Sequence, residues 1–325
     1  MNAGIDIGYN ETKVKSGERL AAFKSVVGSP DRSRFSLNGN GDDTLLHDSQ
    51  GVWLVGEGAV TQSRWLNRRE DADWTTSVDY YRLMLVAFGQ VTTGTAVKLT
   101  LVSGLPVAYY EAGKTALRDR FLGQHRVTFE GRTPQKIEVV RCRIIPQPFG
   151  TVIHLAMSDS GKIIHRDIAE GPTGVIDIGG KTSNLLSVQG FSEISRETTS
   201  VNTGAWDVVR AVRDHLSVHY PHLELRDHEL MDLIRRRETF YFGERLDLGP
   251  IIDEAVAQMS AVVIAAASQL WNSGAKLKAI LITGGGAYLL GNHLRQHFPH
   301  AHIVEKPQFA NVIGYWKFAN LLAGA

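Results

Sequence analysis

One short pattern occurs twice in this chain, as Gly4-Ile5-Asp6-Ile7-Gly8-Tyr9-Asn10-Glu11-Thr12-Lys13 and again as Val175-Ile176-Asp177-Ile178-Gly179-Gly180-Lys181-Thr182-Ser183. Each copy is an apolar β-type run that delivers an aspartate and then a glycine-containing turn with hydroxyl or lysine side chains. Glycine has no Cβ, so the backbone can come close to an anion and adopt turns in which successive N–H groups point at it. Each copy therefore suits a phosphate, and two such turns suit one triphosphate. An aspartate at each strand end suits Mg²⁺, which takes few carboxylates, retains waters and binds phosphate oxygens. A single Asp-x-Gly turn is commonly no more than a tight hairpin, so the repetition carries the inference.

A third element strengthens it. Ala279-Ile280-Leu281-Ile282-Thr283-Gly284-Gly285-Gly286-Ala287 is another β run, ending in three glycines, and Tyr288 to Phe298 reads as a helix after it. Three consecutive glycines are costly in conformational entropy. A loop over which a flat ligand lies explains them better than a bare structural role for all three.

Composition narrows the alternatives. The 325 residues favour two domains over one. A net charge of +1 gives no broad electrostatic footprint for nucleic acid or anionic membrane. Cys142 is the only cysteine, which excludes an internal disulfide and any multi-cysteine metal site. The 12 histidines show no metal spacing, and His215, His219, His222 and His228 read as exposed. The first phosphate-type turn begins within a few residues of Met1, leaving no room for a signal peptide. The most apolar stretch, Ala255 to Trp271, is interrupted by Gln258, Ser260, Ser268 and Gln269 and falls short of the ~18 unbroken apolar residues of a membrane span. The expectation is a cytoplasmic protein with no direct membrane contact.

The pattern along the chain predicts an α/β protein. Ile5 to Val14 and Leu20 to Val27 read as strands of a meander joined at Ser16-Gly17-Glu18, and Gly28 to Ser49 reads as a loop containing Asn38-Gly39-Asn40-Gly41-Asp42-Asp43. Val52 to Val55, Leu99 to Ser103 and Lys136 to Ile145 read as strands. Val78 to Val91, Glu111 to Leu122 and Phe149 to Met157 read as helices. Val175 to Val188 is a second meander, followed by helices at Ala205 to His219 and Ile251 to Trp271. The last of these has Pro250 in its first turn and Gly274 past its end. Its apolar face, running through Ala255, Val256, Met259, Val262, Val263, Ala266 and Ala267, predicts burial between layers.

Taken together these residues resemble the actin and sugar-kinase superfamily of ATPases, most of all the bacterial and archaeal actin-like proteins of the ParM/StbA type. Asp6 to Lys13 resembles the phosphate-1 motif, Pro146-Gln147-Pro148-Phe149-Gly150 the connect-1 segment, and Asp177 to Thr182 phosphate-2. Thr283-Gly284-Gly285-Gly286 is similar to the adenosine motif and Pro307-Gln308-Phe309-Ala310-Asn311-Val312-Ile313-Gly314 to connect-2. Leu54-Val55-Gly56-Glu57-Gly58-Ala59 and Ser103-Gly104-Leu105-Pro106-Val107 also look typical of that branch. The resemblance implies an actin-like fold of two ribonuclease-H-like α/β domains facing a nucleotide cleft, with residues 1–150 and 305–325 in one domain and 151–304 in the other.

It also implies roles for individual residues. Asp6 would sit near Mg²⁺ and its water shell, while Gly8, Tyr9 and Asn10 offer N–H groups to the β- and γ-phosphates of ATP or ADP and Lys13 reaches them as a point charge. Asp177 would hold the metal through water or orient the attacking water, and Gly179, Gly180, Lys181 and Thr182 would form the second phosphate turn. Gly284, Gly285 and Gly286 would underlie the nucleotide. A neutral amide is no strong base, so Gln147 would position water, giving slow hydrolysis. Arg235-Arg236-Arg237-Glu238 reads as a solvated helix end. Trp65 and Trp74, around Arg68-Arg69-Glu70-Asp71, suit either a partner contact or the anchoring of an insertion.

The implied function is a nucleotide-dependent, filament-forming ATPase in plasmid or DNA segregation or the prokaryotic cytoskeleton. Its partners would be further copies of itself and a DNA-binding adaptor, with direct nucleic-acid binding not expected. The alternative is a small-molecule kinase of the same superfamily, against which stands the lack of an insertion carrying the polar cluster of a sugar pocket. A chaperone ATPase of this superfamily would need a substrate-binding domain as well.

Overall fold

Burial on both faces from Ala3 to Ile7, and alternation of buried and half-buried side chains from Glu11 to Ser16, mark the first two strands. The computed structural model describes residues 1–31, 44–67, 73–225 and 227–324. Asn38 to Asp43 and Arg68 to Asp71, singled out above, lie outside the described residues. The chain divides into two compact units, residues 1–166 with 309–325 and residues 167–308.

Unit 1 opens with β1 (Asn2–Ile7), β2 (Glu11–Ser16), β3 (Arg19–Lys24) and β4 (Val27–Gly28), then β5 (Thr44–Asp48), β6 (Gly51–Val55), α1 (Glu57–Gln62) and β7 (Leu66–Asn67). It continues through α2 (Val78–Val91), β8 (Ala96–Leu105), α3 (Val107–Phe121), β9 (Gly123–Val127), β10 (Gln135–Pro146) and α4 (Phe149–Ala156). Six strands form one sheet in the order β3-β2-β1-β8-β10-β9, and four short ones form a second, β5-β6-β4-β7. In the first sheet β1 runs antiparallel to β2 and parallel to β8. The run Ile5 to Val14, read above as one strand, is two strands broken by a turn, and Thr44 to Asp48, read as loop, is a strand.

Strand alternation explains what covers this sheet. Ala3, Ile5 and Ile7 enter one apolar cluster with Leu83, Met84 and Phe88 of α2 and Leu117 and Phe121 of α3. Gly4 points the other way, where a Cβ would overlap the backbone of the closing helix of the chain, Ala310–Gly324. The small second sheet is tied to α2 by Arg82, whose guanidinium bonds Asp48 at 2.8 Å and Asp79 at 3.0 Å and lies 3.6 Å over the Trp53 ring.

Unit 2 follows with α5 (Arg166–Glu170), whose first residue still belongs to unit 1, then β11 (Thr173–Ile178), β12 (Ser183–Gln189), β13 (Ser192–Glu193), β14 (Thr199–Val201), α6 (Ala205–His219) and α7 (Asp227–Arg236). The hairpin β15 (Glu238–Tyr241) and β16 (Glu244–Asp247) leads into α8 (Gly249–Trp271), β17 (Ala279–Thr283), α9 (Ala287–His297) and β18 (Ala301–Ile303). The sheet order is β13-β12-β11-β17-β18, with β14 on β12. As in unit 1, an Asp-bearing strand is antiparallel to the next strand and parallel to a later one. The chain returns to unit 1 as α10 (Ala310–Gly324).

By length and composition the stretch Gly249–Gly274 could span a bilayer. It is instead amphipathic in its packing: Ile252, Ala255, Val256, Val263, Ala267 and Trp271 lie in the core of unit 2. Val262 is exposed and Met259 and Ala266 are only partly covered, which corrects the expected burial of this whole face between layers. One apolar face suffices because Asp253, Glu254, Gln258 and Gln269 give the other to solvent.

Candidate functional site

The two copies of the repeated pattern fold alike. In unit 1 the last register pair before the turn is Ile7 with Thr12, in unit 2 Ile178 with Ser183, so residues 8–11 and 179–182 form equivalent loops. Each closes the same way: Gly8 N–H donates to Glu11 O at 3.1 Å and Gly179 N–H to Thr182 O at 2.9 Å. A Cβ at Gly179 would stand 2.9 Å from Thr182 O, so glycine is a steric requirement of that turn. The N–H groups of Gly8 and Gly179 are thus engaged within their hairpins.

In unit 1, Asp6, Lys13 and Gln147 come together. Asp6 is 6% exposed, and β1–β2 pairing puts Lys13 opposite it. Lys13 Nζ stands 3.8 Å from Asp6 Oδ2, and Gln147 Nε2 donates to Asp6 Oδ1 at 3.1 Å. Gln147 itself is held at both backbone groups: its N–H donates to Leu105 O at 2.8 Å, and Tyr315 O–H donates to its carbonyl at 3.3 Å. The amide that bonds Asp6 leaves Gln147 Oε1 as an acceptor.

Tyr9 stacks on Trp74 with ring centroids 5.8 Å apart, and Trp74 meets Tyr80 edge-on at 5.6 Å. Burial, and then the Asp6 carboxylate, push the Tyr80 phenol far above its ordinary pKa, so it stays neutral. Trp74 is 5% exposed while Trp65 is 78% exposed, so the two tryptophans paired in the sequence reading separate: Trp74 anchors the first turn and Trp65 faces solvent.

α4, which follows Gln147, is gripped by α10. Asn311 Oδ1 accepts from the N–H and the hydroxyl of Thr151, at 3.1 and 2.8 Å, while Lys317 Nζ donates to His154 O and Met157 O at 2.8 and 2.7 Å. Asn311 thereby adds a second acceptor to the Thr151 N–H, which also donates to Pro148 O at 3.1 Å, and Lys317 satisfies carbonyls at the end of the helix. Between them the helices touch backbone to backbone, since a Cβ at Gly314 would overlap Gly150 O. No motif in the sequence marks Tyr315 or Lys317; the available signal is that Lys317 is the one charged residue in 310–324.

In unit 2, Asp177 is 5% exposed at the end of β11. The second turn is fastened to the start of α6, where Ala205 N–H donates to Gly179 O at 3.0 Å and Trp206 N–H to Gly180 O at 2.8 Å. Gly180, Lys181 and Thr182 therefore sit on a loop held by a helix N-terminus. The three glycines differ. Gly284 has φ +86°, and a Cβ there would overlap Ile178 O and crowd Asp177 Oδ1; one at Gly286 would overlap Ile178 Cγ2; one at Gly285 meets nothing within 4 Å. Two of the three glycines have packing reasons, and Gly285 alone covers open space.

Arg237, from the run read as a solvated helix end, ties α7 to α8 by donating to Asp253 at 2.6 Å and to Gly249 O at 3.1 Å. Among the described residues no cluster of three or more His, Cys, Asp or Glu side chains could cage a metal ion. Each unit presents one buried carboxylate beside a hairpin turn, Asp6 with Lys13 and Gln147 in unit 1 and Asp177 beside Gly284 in unit 2, and a lone carboxylate beside a turn suits a hydrated ion that keeps its waters better than an all-protein cage.

The comparisons bear on family and fold. Residues 4–150 match the family described as actin like proteins N terminal domain, and residues 175–296 the archaeal actin homologue MreB-like C-terminal domain. The chain belongs to the actin-like proteins. No curated protein matches it by sequence. Its fold is the actin-like fold of solved structures: an archaeal actin homologue in complex with ADP is 17% identical over 99% of each chain with TM-score 0.82. A ParM from Clostridium botulinum, seen in a 15-stranded filament, is 23% identical over 98% of this chain and 99% of its own with TM-score 0.81. ParM from Bacillus thuringiensis with ATP is 13% identical over 99% and 98% with TM-score 0.72.

Proposed function

We propose that this protein is a nucleotide-dependent ATPase that assembles head to tail into filaments, acting in plasmid segregation or as a cytoplasmic cytoskeletal element. The observation that carries the reading is the pair of equivalent hairpins, each with a buried aspartate at the end of its first strand. The ADP and ATP complexes and the filament of similarly folded proteins support it.

In this reading Asp6 in unit 1 and Asp177 in unit 2 are the carboxylates that would serve Mg²⁺, and the ion, when bound, would supply charge neutralisation at the phosphates. Lys13 adds a point charge beside Asp6. The backbone of the turns at 8–11 and 179–182 approaches the phosphate oxygens, with Gly179 keeping its turn tight. Gln147, its NH₂ donated to Asp6, turns Oε1 toward a water and orients it without taking its proton. Such an arrangement gives slow turnover, which suits a polymer whose lifetime is set by hydrolysis. The nearest competitor, phosphoryl transfer to a small molecule, requires an acceptor.

The test is phosphate release without an acceptor, with light scattering and sedimentation in ATP, ADP and a non-hydrolysable analogue. Asp6→Ala and Asp177→Ala each lower hydrolysis at least about tenfold, equivalent to ~1.4 kcal/mol of transition-state stabilisation. Unchanged hydrolysis in both would remove the site assignment. Absence of any ATP-dependent polymer at tens of micromolar protein would leave a monomeric ATPase, and dependence on an added sugar would leave a kinase.

A further inference from the structure

α6 carries a second feature at the end away from the phosphate turn. His215 and His219 lie one turn apart, their rings near-parallel at 21° with centroids 4.2 Å apart. His219 Nδ1 stands 2.9 Å from His215 O. A carbonyl oxygen only accepts, so Nδ1 carries the proton and the neutral imidazole keeps its lone pair on Nε2, away from the backbone. Ligating histidines commonly have their other ring nitrogen fixed in this way, by donation to a backbone carbonyl.

We propose that His215 and His219 form a chelate for a divalent first-row transition ion, with Zn²⁺, Ni²⁺ and Cu²⁺ as the class and water completing the coordination. Zn–N bonds of about 2.0–2.1 Å in tetrahedral geometry set two ligating nitrogens about 3.3 Å apart. Rings 4.2 Å apart reach that by a tilt of the two imidazoles toward each other. His219 is the last residue of α6, so the cation also sits at the negative end of the helix dipole. Both donors are imidazole nitrogens, which oxygen-seeking Mg²⁺ and Ca²⁺ do not favour, and this separates the site from the metal of the phosphate turns. His222, whose ring meets Phe242 edge-on at 5.9 Å, forms no three-ligand group with the pair among the described residues. The absence of three-ligand clusters among the described residues is in keeping with a two-histidine site.

Calorimetric titration of the untagged full chain, stripped with a chelator, with Zn²⁺ tests the assignment, and it needs no nucleotide. One site with micromolar affinity is expected, weakened at least tenfold in His215→Ala and in His219→Ala and unchanged in His222→Ala or with millimolar Mg²⁺ present. Zn²⁺ should also raise the melting temperature of the parent and not of the doubly substituted chain, because an ion that binds only the folded helix stabilises it. His219 is exposed, so circular dichroism of His219→Ala should match the parent and exclude misfolding as the cause. Equal Zn²⁺ affinity in the parent and the double variant, or an equal loss in His222→Ala, overturns the proposal.

Discussion

The three glycines after β17 should answer differently to the same substitution. Gly284→Ala forces a side chain into the left-handed region at φ +86°, a strain of about 1–2 kcal/mol. Its Cβ would also overlap the carbonyl of Ile178 and crowd Asp177 Oδ1, and such overpacking costs about 1–3 kcal/mol. The sum, about 2–5 kcal/mol, corresponds to a fall of roughly 4–20 °C in the melting temperature of unit 2, at about 2–4 °C per kcal/mol for a body of this size. Gly285→Ala meets nothing within 4 Å and has no positive φ, so it should be neutral or stabilising by up to about 1 kcal/mol. Scanning calorimetry of the two variants beside the parent reads the difference directly. Should Gly285→Ala melt as low as Gly284→Ala, or Gly284→Ala melt within about 2 °C of the parent, the steric reasoning fails. Nucleotide affinity adds a second axis: if the loop underlies the ligand, Gly285→Ala keeps its melting temperature and still binds nucleotide more weakly.

Gln147→Ala should lower turnover at least about tenfold while leaving nucleotide affinity within about threefold, because the side chain orients water and does not hold phosphate; parallel loss of both in a binding assay and a phosphate assay would mark it as structural. Burial, and then the charge of Lys317, lower the pKa of His154 to about 4, so the unfolded chain binds the extra proton between that value and 6.5. The associated stability is full above pH 6.5 and lost as pH falls toward 4, by at most about 3 kcal/mol, and urea unfolding of His154→Gln should show a flatter dependence over that window than the parent. Gly314→Ala drives a methyl into the Gly150 carbonyl and should cost unit 1 about 1–3 kcal/mol, an idea refuted by an unshifted urea midpoint.

Elements with strong periodicity are legible in the sequence alone. Val78 to Val91 and Ala205 to His219 are helices with the expected ends because their apolar residues recur at helical spacing and their boundaries carry turn residues. Thr44 to Asp48 was missed because its neighbours are polar and its strand character comes from pairing with β6, a tertiary fact. For the candidate site, proximity was legible only where the hairpin register dictates it, as with Asp6 and Lys13. The bond from Gln147 to Asp6 joins positions 141 residues apart, and no local pattern announces it. The stack of Tyr9 on Trp74 and the grip of Lys317 on α4 are hidden for the same reason. The glycine triplet shows the opposite failure: the sequence treats three identical residues alike, whereas Ile178 distinguishes them, its carbonyl crowding Gly284 and its side chain Gly286.

The discontinuity of unit 1 bears on the order in which the molecule is made. Its sheet is encoded before residue 167, yet the face of β1 at Gly4 and the grip on both ends of α4 are supplied by α10, which leaves the ribosome after all of unit 2. Unit 2 is continuous and can close as soon as it emerges, since domains generally fold as units during synthesis. The part of the chain translated first is therefore finished last. Throughout that interval the face of its sheet at Gly4 and the ends of α4 lack the helix that covers them, a window in which a chaperone, or a premature encounter with another nascent copy, would find them.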